Sequence, residues 1–306
     1  MLRKFRAELF LILGACLFAF NGIVAKLVLT SGLSAWRLTQ VRCTGAFIII
    51  AFYVLLRNRQ SLRVKKGEIA ALAAYGAIGM AAVQVGYFIA ISRMPVSISL
   101  IIEFTAPIWI VLYIRFVKKK FVPKLMWFSI ALGFGGLFLV AQVWQGLTLD
   151  GIGVIAAFLD AFALAGYFLL GEKLGAKRST ESLTVWGFGF ATIVWLIITP
   201  IWSFPFGVFS ENINLLGIFS QYNLPGWVLF LWIVVMGTIL PYILILHGIK
   251  ELAAATSSVI TMIEPVVAGG IAWVWLSETL KPVQLVGGVF VFMGIIAAER
   301  ARRSTR

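Results

Sequence analysis

Stretches of about twenty apolar residues alternate along the chain with short polar clusters. A bilayer core of ~30 Å needs about 20 mostly apolar residues per helix, and ten segments meet that requirement. They run at about 8–29, 36–56, 68–91, 95–116, 124–143, 151–171, 182–203, 225–247, 256–276 and 281–299. The pattern predicts an all-α integral membrane protein, with residues 204–224 as its one long loop.

The polar clusters are predominantly basic and unevenly distributed between the two faces. Placed on the spans, 21 of the 26 Lys and Arg residues fall on one face, and only Arg37, Arg93 and Lys281 fall on the other. This is the positive-inside pattern, with both termini cytoplasmic, and it requires an even number of spans. The formal charge of +14, which in a soluble chain would point to nucleic acid, becomes a record of topology. With 61% hydrophobic and only 12% charged residues, there is too little polar surface to coat a soluble fold of 306 residues. A cell (inner) membrane location follows, with lipid as the surrounding partner and no nucleic acid.

Soft metal ligands are scarce. Cys16 and Cys43 lie inside apolar runs without paired spacing, and His247 is the single histidine, so no metal or other cofactor is expected. The Gly151-Ile152-Gly153 start of a span imitates a dinucleotide fingerprint but has no preceding strand. No phosphate-cradling Gly-Lys-Ser/Thr loop suggests an ATP-driven pump.

The chain repeats internally. An offset of 158 residues places Thr105-Ala106-Pro107 on Ile263-Glu264-Pro265, Ser99 on Ser257, Gln84 on Tyr242 and Gly136 on Gly294, and an offset of 142 places Ala19-Phe20 on Ala161-Phe162. The chain divides into five-helix halves at 1–146 and 147–306. Because five is odd, the second half enters the membrane from the opposite side, which makes an inverted repeat with a site expected where the halves meet.

Ionisable residues inside spans are costly and mark function by default. Lys26, Arg42, Glu103, Asp160 and Glu264 are such residues, the three acids about 12 Å from the nearer span end by helical rise. They are candidates for proton binding or for pairing with a cationic substrate group, the alternative being structural pairs of Glu103 or Asp160 with Lys26 or Arg42. Pro107 and Pro265 each remove a backbone donor and free a carbonyl, so they predict kinks that act as gating joints. Asn21, Gln84, Tyr87, Trp109, Tyr167 and Tyr242 are candidates to line the centre. Gly133, Gly135 and Gly136, with Gly287, Gly288 and Gly294, predict close helix packing, within the chain or in a homodimer. His247 is placed at the end of a span, and residues 204–224 are expected as an interfacial loop or a cap over an exit path.

These motifs resemble an EamA-type member of the drug/metabolite transporter superfamily over nearly the whole chain. The resemblance is carried by Ile263-Glu264-Pro265-Val266-Val267-Ala268, Leu276-Ser277-Glu278-Thr279-Leu280 and Gly287-Gly288 to Gly294, by Glu103-Phe104-Thr105-Ala106-Pro107, by Lys26 after Asn21-Gly22, and by Arg42. One departure is Lys119-Lys120, where the first half lacks the acid corresponding to Glu278. The resemblance implies a ten-helix secondary carrier of small organic metabolites, with a lean toward amino acids and export. The competing classes are an intramembrane enzyme, for which one histidine and one intramembrane aspartate offer little, and a passive scaffold.

Overall fold

The computed structural model describes residues 5–94, 96–142, 144, 150–276 and 281–303. Arg3, Lys4, Ser277-Glu278-Thr279-Leu280, Arg306 and the division between halves at 146/147 lie outside the described residues. The helices are α1 (Arg6–Thr30), α2 (Ala35–Arg57), α3 (Lys66–Arg93), α4 (Ile98–Val117), α5 (Lys124–Val140), α6 (Gly151–Gly175), α7 (Thr180–Ile198), α8 (Gly226–Leu252), α9 (Ala254–Trp275) and α10 (Pro282–Arg303). Among the described residues nine of these are long and apolar enough to span a membrane, and α5 is the shorter tenth.

The helix ends correct the sequence reading for physical reasons. Helix α7 stops at Ile198 rather than near 203, because Thr199 precedes Pro200 and is driven out of the helical region, to φ −126° and ψ 89°. Helices α6 and α8 run past the charges that end their apolar stretches, since Glu172, Lys173 and Lys250 leave the lipid without ending the hydrogen-bond ladder. Helix α8 ends where Ala253 enters the left-handed region at φ 67°. His247 is therefore not terminal. Its Nδ1 lies 2.8 Å from the Ile243 carbonyl and its ring packs edge-on against Phe10 of α1. The Gly151-Ile152-Gly153 stretch is an ordinary helix start, capped by Asp150, whose carboxylate accepts from Gly153 N at 2.8 Å.

The packing of the helices has the symmetry of the repeat. Helix α1 packs on α8 and α9, and its counterpart α6 packs on α3 and α4; α2 packs on its own counterpart α7, and α5 on its counterpart α10. Exchanging the halves leaves this set of pairs unchanged. The fold is thus ten membrane helices in two five-helix inverted repeats. The α5–α10 pair is a close crossing. A Cβ on Gly136 would stand 2.6 Å from the Gly287 carbonyl oxygen, and one on Gly287 would stand 2.6 Å from that of Gly136. These glycines serve contacts within the chain.

Two irregularities recur at equivalent depths. Helix α4 is broken at Phe104-Thr105, and α9 passes through a 3₁₀ turn at Thr261–Ile263. The offset of 158 superposes these positions. Helices α3 and α8 each contain a π turn, at Tyr75–Ala82 and Val235–Ile239, which also fall together under that offset. The prolines act differently from expectation. Pro107 and Pro265 sit in the first turn of the new half-helices, where a missing N–H removes no intrahelical bond. They begin helices rather than kink them, and the carbonyls before each break are taken by threonines: Thr105 Oγ1 donates to Ile102 O at 2.7 Å, and Thr261 Oγ1 to Ser258 O at 3.0 Å.

The long connection before α8 folds rather than lying as a loop. Strands β1 (Asn212–Asn214) and β2 (Asn223–Pro225) pair antiparallel with Ile213 opposite Leu224. Ile213, Phe204 and Val208 pack on Val24, Leu27 and Val28 of α1 and on Phe230 and Ile233 of α8. Trp275 of α9 ties the segment down, its Nε1 donating to Leu215 O at 2.8 Å. This side is called the hairpin face. On the other side, the terminus face, α1 and α10 meet through Arg302, whose Nη2 lies 3.1 Å from Glu8 Oε1 and also pairs with Glu299.

Candidate functional site: a central cavity at the broken helices

A cavity with about 630 Å³ of empty space lies where α1, α2, α3, α4, α6, α8 and α9 converge. Its polar lining is Asn21, Arg42, Gln84, Tyr87, Glu103, Tyr167, Tyr242, Thr261 and Glu264. Of the residues singled out in the sequence, Glu264, Glu103, Asn21, Gln84, Tyr87 and Tyr242 are therefore brought together. Trp109 is not among the lining residues. Its indole donates to Thr105 Oγ1 at 3.1 Å and its ring packs on Phe162, so it supports the α4 break instead.

The π turns place two of the lining groups. A π turn leaves backbone carbonyls without their usual helical donors, and in an apolar interior such carbonyls need another partner. In α3 the Met80 carbonyl accepts from Gln84 Nε2 at 2.8 Å. In α8 the Gly237 carbonyl accepts from Arg42 Nη2 at 2.9 Å, while Arg42 Nε donates to Thr238 Oγ1 at 2.9 Å and the guanidinium lies 5.2 Å from the Phe88 ring centroid. The Thr238 hydroxyl in turn donates to Ile233 O at 2.7 Å. Arg42, from the first half, is thereby fixed to an irregular turn of the second half. Asn21 abuts the same turn, with its Oδ1 where a Cβ on Gly237 would be, so only glycine fits there.

The acids occupy three different settings. Glu264 starts the second half of α9, at the positive end of that segment's helix dipole, which favours a carboxylate. Glu103 ends the first half of α4 and is 8% exposed. Asp160 is 1% exposed and lies behind the lining, on α6 against α3, with Gly86 making room for it: a Cβ there would stand 2.8 Å from the Asp160 Cβ. Both carboxylate oxygens of Asp160, Glu103 Oε2, Asn21 Oδ1 and Gln84 Oε1 are buried without a hydrogen-bond partner. The alternative, a structural pairing of Glu103 or Asp160 with Lys26 or Arg42, is not formed. Among the described residues the ion pairs are Arg93–Asp150, Arg178–Glu68, Arg302–Glu8, Arg302–Glu299 and Arg303–Glu299, all near the helix ends.

Aromatic rings complete the wall. Tyr242 receives Phe18, Tyr167 and Phe188 edge-on at centroid distances of 5.1, 5.4 and 5.1 Å. A second cavity, of about 1050 Å³ of empty space, shares Tyr87 and Glu264 with the first and includes Lys26 and Pro265. Sequence reasoning passed over the α8 turn at Gly237-Thr238. Pro241, at the start of the helical segment that follows it, is the local signal of that irregularity.

A ten-helix inverted repeat with a polar cavity at two broken helices is the architecture of a membrane carrier. The sequence pattern of the EamA-like transporter family matches residues 5–142 and again residues 151–298, and the chain belongs to that family. It is a membrane transporter for small molecules, not an enzyme. It is 26% identical over 263 residues to the threonine/homoserine exporter RhtA of Escherichia coli strain K12, spanning 85% of this chain and 78% of the relative. It is 23% identical over 290 residues to the uncharacterized transporter YdfC of Bacillus subtilis strain 168, spanning 93% and 87%, and 24% identical over 216 residues to an uncharacterized transporter of Archaeoglobus fulgidus, spanning 70% and 71%. A solved crystal structure superposes with a TM-score of 0.75 at 15% identity, covering 98% of this chain and 99% of the other, which supports the fold.

Proposed function

We propose that this chain is a secondary carrier that exports amino acids or closely related zwitterions by alternating access, with proton movement coupled through its intramembrane carboxylates. The observation that carries this reading is the combination of Arg42 with Glu103 and Glu264 around one cavity. A guanidinium offers a carboxylate a planar fork of donors. Facing carboxylates offer an ammonium group acceptors, and the apolar wall strengthens both interactions. The relatives named as threonine/homoserine exporters support the lean toward amino acids and toward export. The cavity adjoins both broken helices, so a change in their angle would alter access to it from either face. The terminus face, with its basic loops, is read as cytoplasmic, in the inner membrane.

The test is counterflow in proteoliposomes. Purified protein is expected to exchange labelled L-threonine or L-homoserine across the membrane, to respond to an imposed proton gradient, and to lose exchange in Glu264→Gln. Folded protein that exchanges neither compound nor any member of a broad amino-acid panel would overturn this reading.

A further inference from the structure

Beyond the central cavity, the second cavity holds one basic side chain, Lys26. Its lining residues lie in the hairpin-side parts of their helices: Lys26 near the end of α1, Leu100 near the start of α4, Val140 at the end of α5, Ala272 near the end of α9 and Gln284 near the start of α10. The cavity therefore runs from Tyr87 and Glu264, which it shares with the central cavity, toward the hairpin face. Its walls are mainly small or aliphatic. Gln284 has both ends of its amide engaged, donating from Nε2 to Val140 O at 3.0 Å and accepting from Lys281 N at 2.9 Å. Lys26 is half-buried and forms no ion pair among the described residues.

A zwitterion leaving the central cavity toward this side gives up the Arg42 guanidinium to its carboxylate, and a carboxylate between apolar walls is costly without a cation. Lys26 lies five residues beyond Asn21 on the same helix, about 8 Å by helical rise. Where the two cavities adjoin, the Tyr87 hydroxyl packs on Gly22, with a Cβ there standing 3.1 Å from it, so passage from one cavity to the other requires the Tyr87 ring to move aside. We infer that the second cavity is a second substrate station, in which Lys26 takes the carboxylate of an amino-acid-type substrate between the central cavity and the hairpin face. The inference rests on the transport reading above and adds a site to it.

The test reads Lys26 directly. Purified protein is acetylated with an amine reagent and each lysine followed by mass spectrometry, with L-threonine or with threoninol, the amino alcohol that lacks the carboxylate. At several times its half-saturating concentration, threonine is expected to slow acetylation of Lys26 about fivefold, to leave Lys65 and Lys177 unchanged, and to act where threoninol does not. Counterflow is run on the same preparation, with Lys26→Gln slowed and Lys26→Arg retaining most of the rate. Active counterflow with Lys26 unprotected by threonine, or equally protected by threoninol, overturns the second station. Protection without counterflow overturns the transport reading and leaves the station standing. Absence of both overturns both.

Discussion

Arg42 of α2 and Gly237 of α8 are joined by a hydrogen bond of 2.9 Å from the Arg42 Nη2 to the Gly237 carbonyl, and the bond crosses from one half of the molecule to the other. It exists because the residue that would donate to that carbonyl in a helix is Pro241, which has no N–H, so the carbonyl is satisfied from outside the helix. The same guanidinium faces the central cavity. Under the proposed function, a substrate carboxylate and the α8 turn would share one positioning group.

Arg42→Met leaves the Gly237 carbonyl and Thr238 hydroxyl without that donor, and is expected to destabilise the purified protein by about 1–3 kcal/mol. Arg42→Lys should recover part of this, since an ammonium cannot form the same two-pronged contact. Thermal unfolding in detergent checks the order wild type, Lys, Met.

Gly136→Val forces a branched side chain into a Cβ position 2.6 Å from the Gly287 carbonyl oxygen. The α5–α10 crossing must open, at an expected cost of about 1–3 kcal/mol or more. Gly135→Ala is the control, because nothing lies within 4 Å of its added Cβ. Melting midpoints of the two variants should differ clearly, with Gly135→Ala close to wild type.

Asp160→Asn separates function from packing. Both carboxylate oxygens are buried without hydrogen-bond partners, so the neutral isostere removes no contact that holds the fold. The melting midpoint is expected to stay level or rise while threonine counterflow falls at least about tenfold, the ordinary range for loss of a residue acting in the transport step. A lowered midpoint with unchanged flux would mark Asp160 as structural.

Trp275→Phe removes the indole donor to Leu215 O while keeping most of the ring contacts with Phe20 and Phe219. Its expected cost is about 1 kcal/mol, that of one hydrogen bond. The hairpin segment should become more open to added protease at the turn around Leu216 and Gly217, both at positive φ. Limited proteolysis read by mass spectrometry checks this without any transport assay.

The sequence alone determined the number of spans, their repeat in two halves and most of the polar residues that meet at the centre. Lipid makes these features legible, because a helix must present about twenty apolar residues to cross it and any ionisable group inside it stands out. Glu103 and Glu264 were visible for that reason, Gln84 and Tyr242 through their shared repeat position, and the structure gathers all four. The tertiary structure decided what local pattern does not encode. Hydropathy is blind to hydrogen-bond register, so the π turns in α3 and α8 and the partners of their carbonyls emerged only with the neighbouring helices in place. Proline carries two meanings, kink or start, and only the observed breaks assigned Pro107 and Pro265 to the second. The chain position of Lys26 and Asp160 says nothing of which side of a helix meets a cavity. Packing put one in a second cavity and the other behind the wall at Gly86.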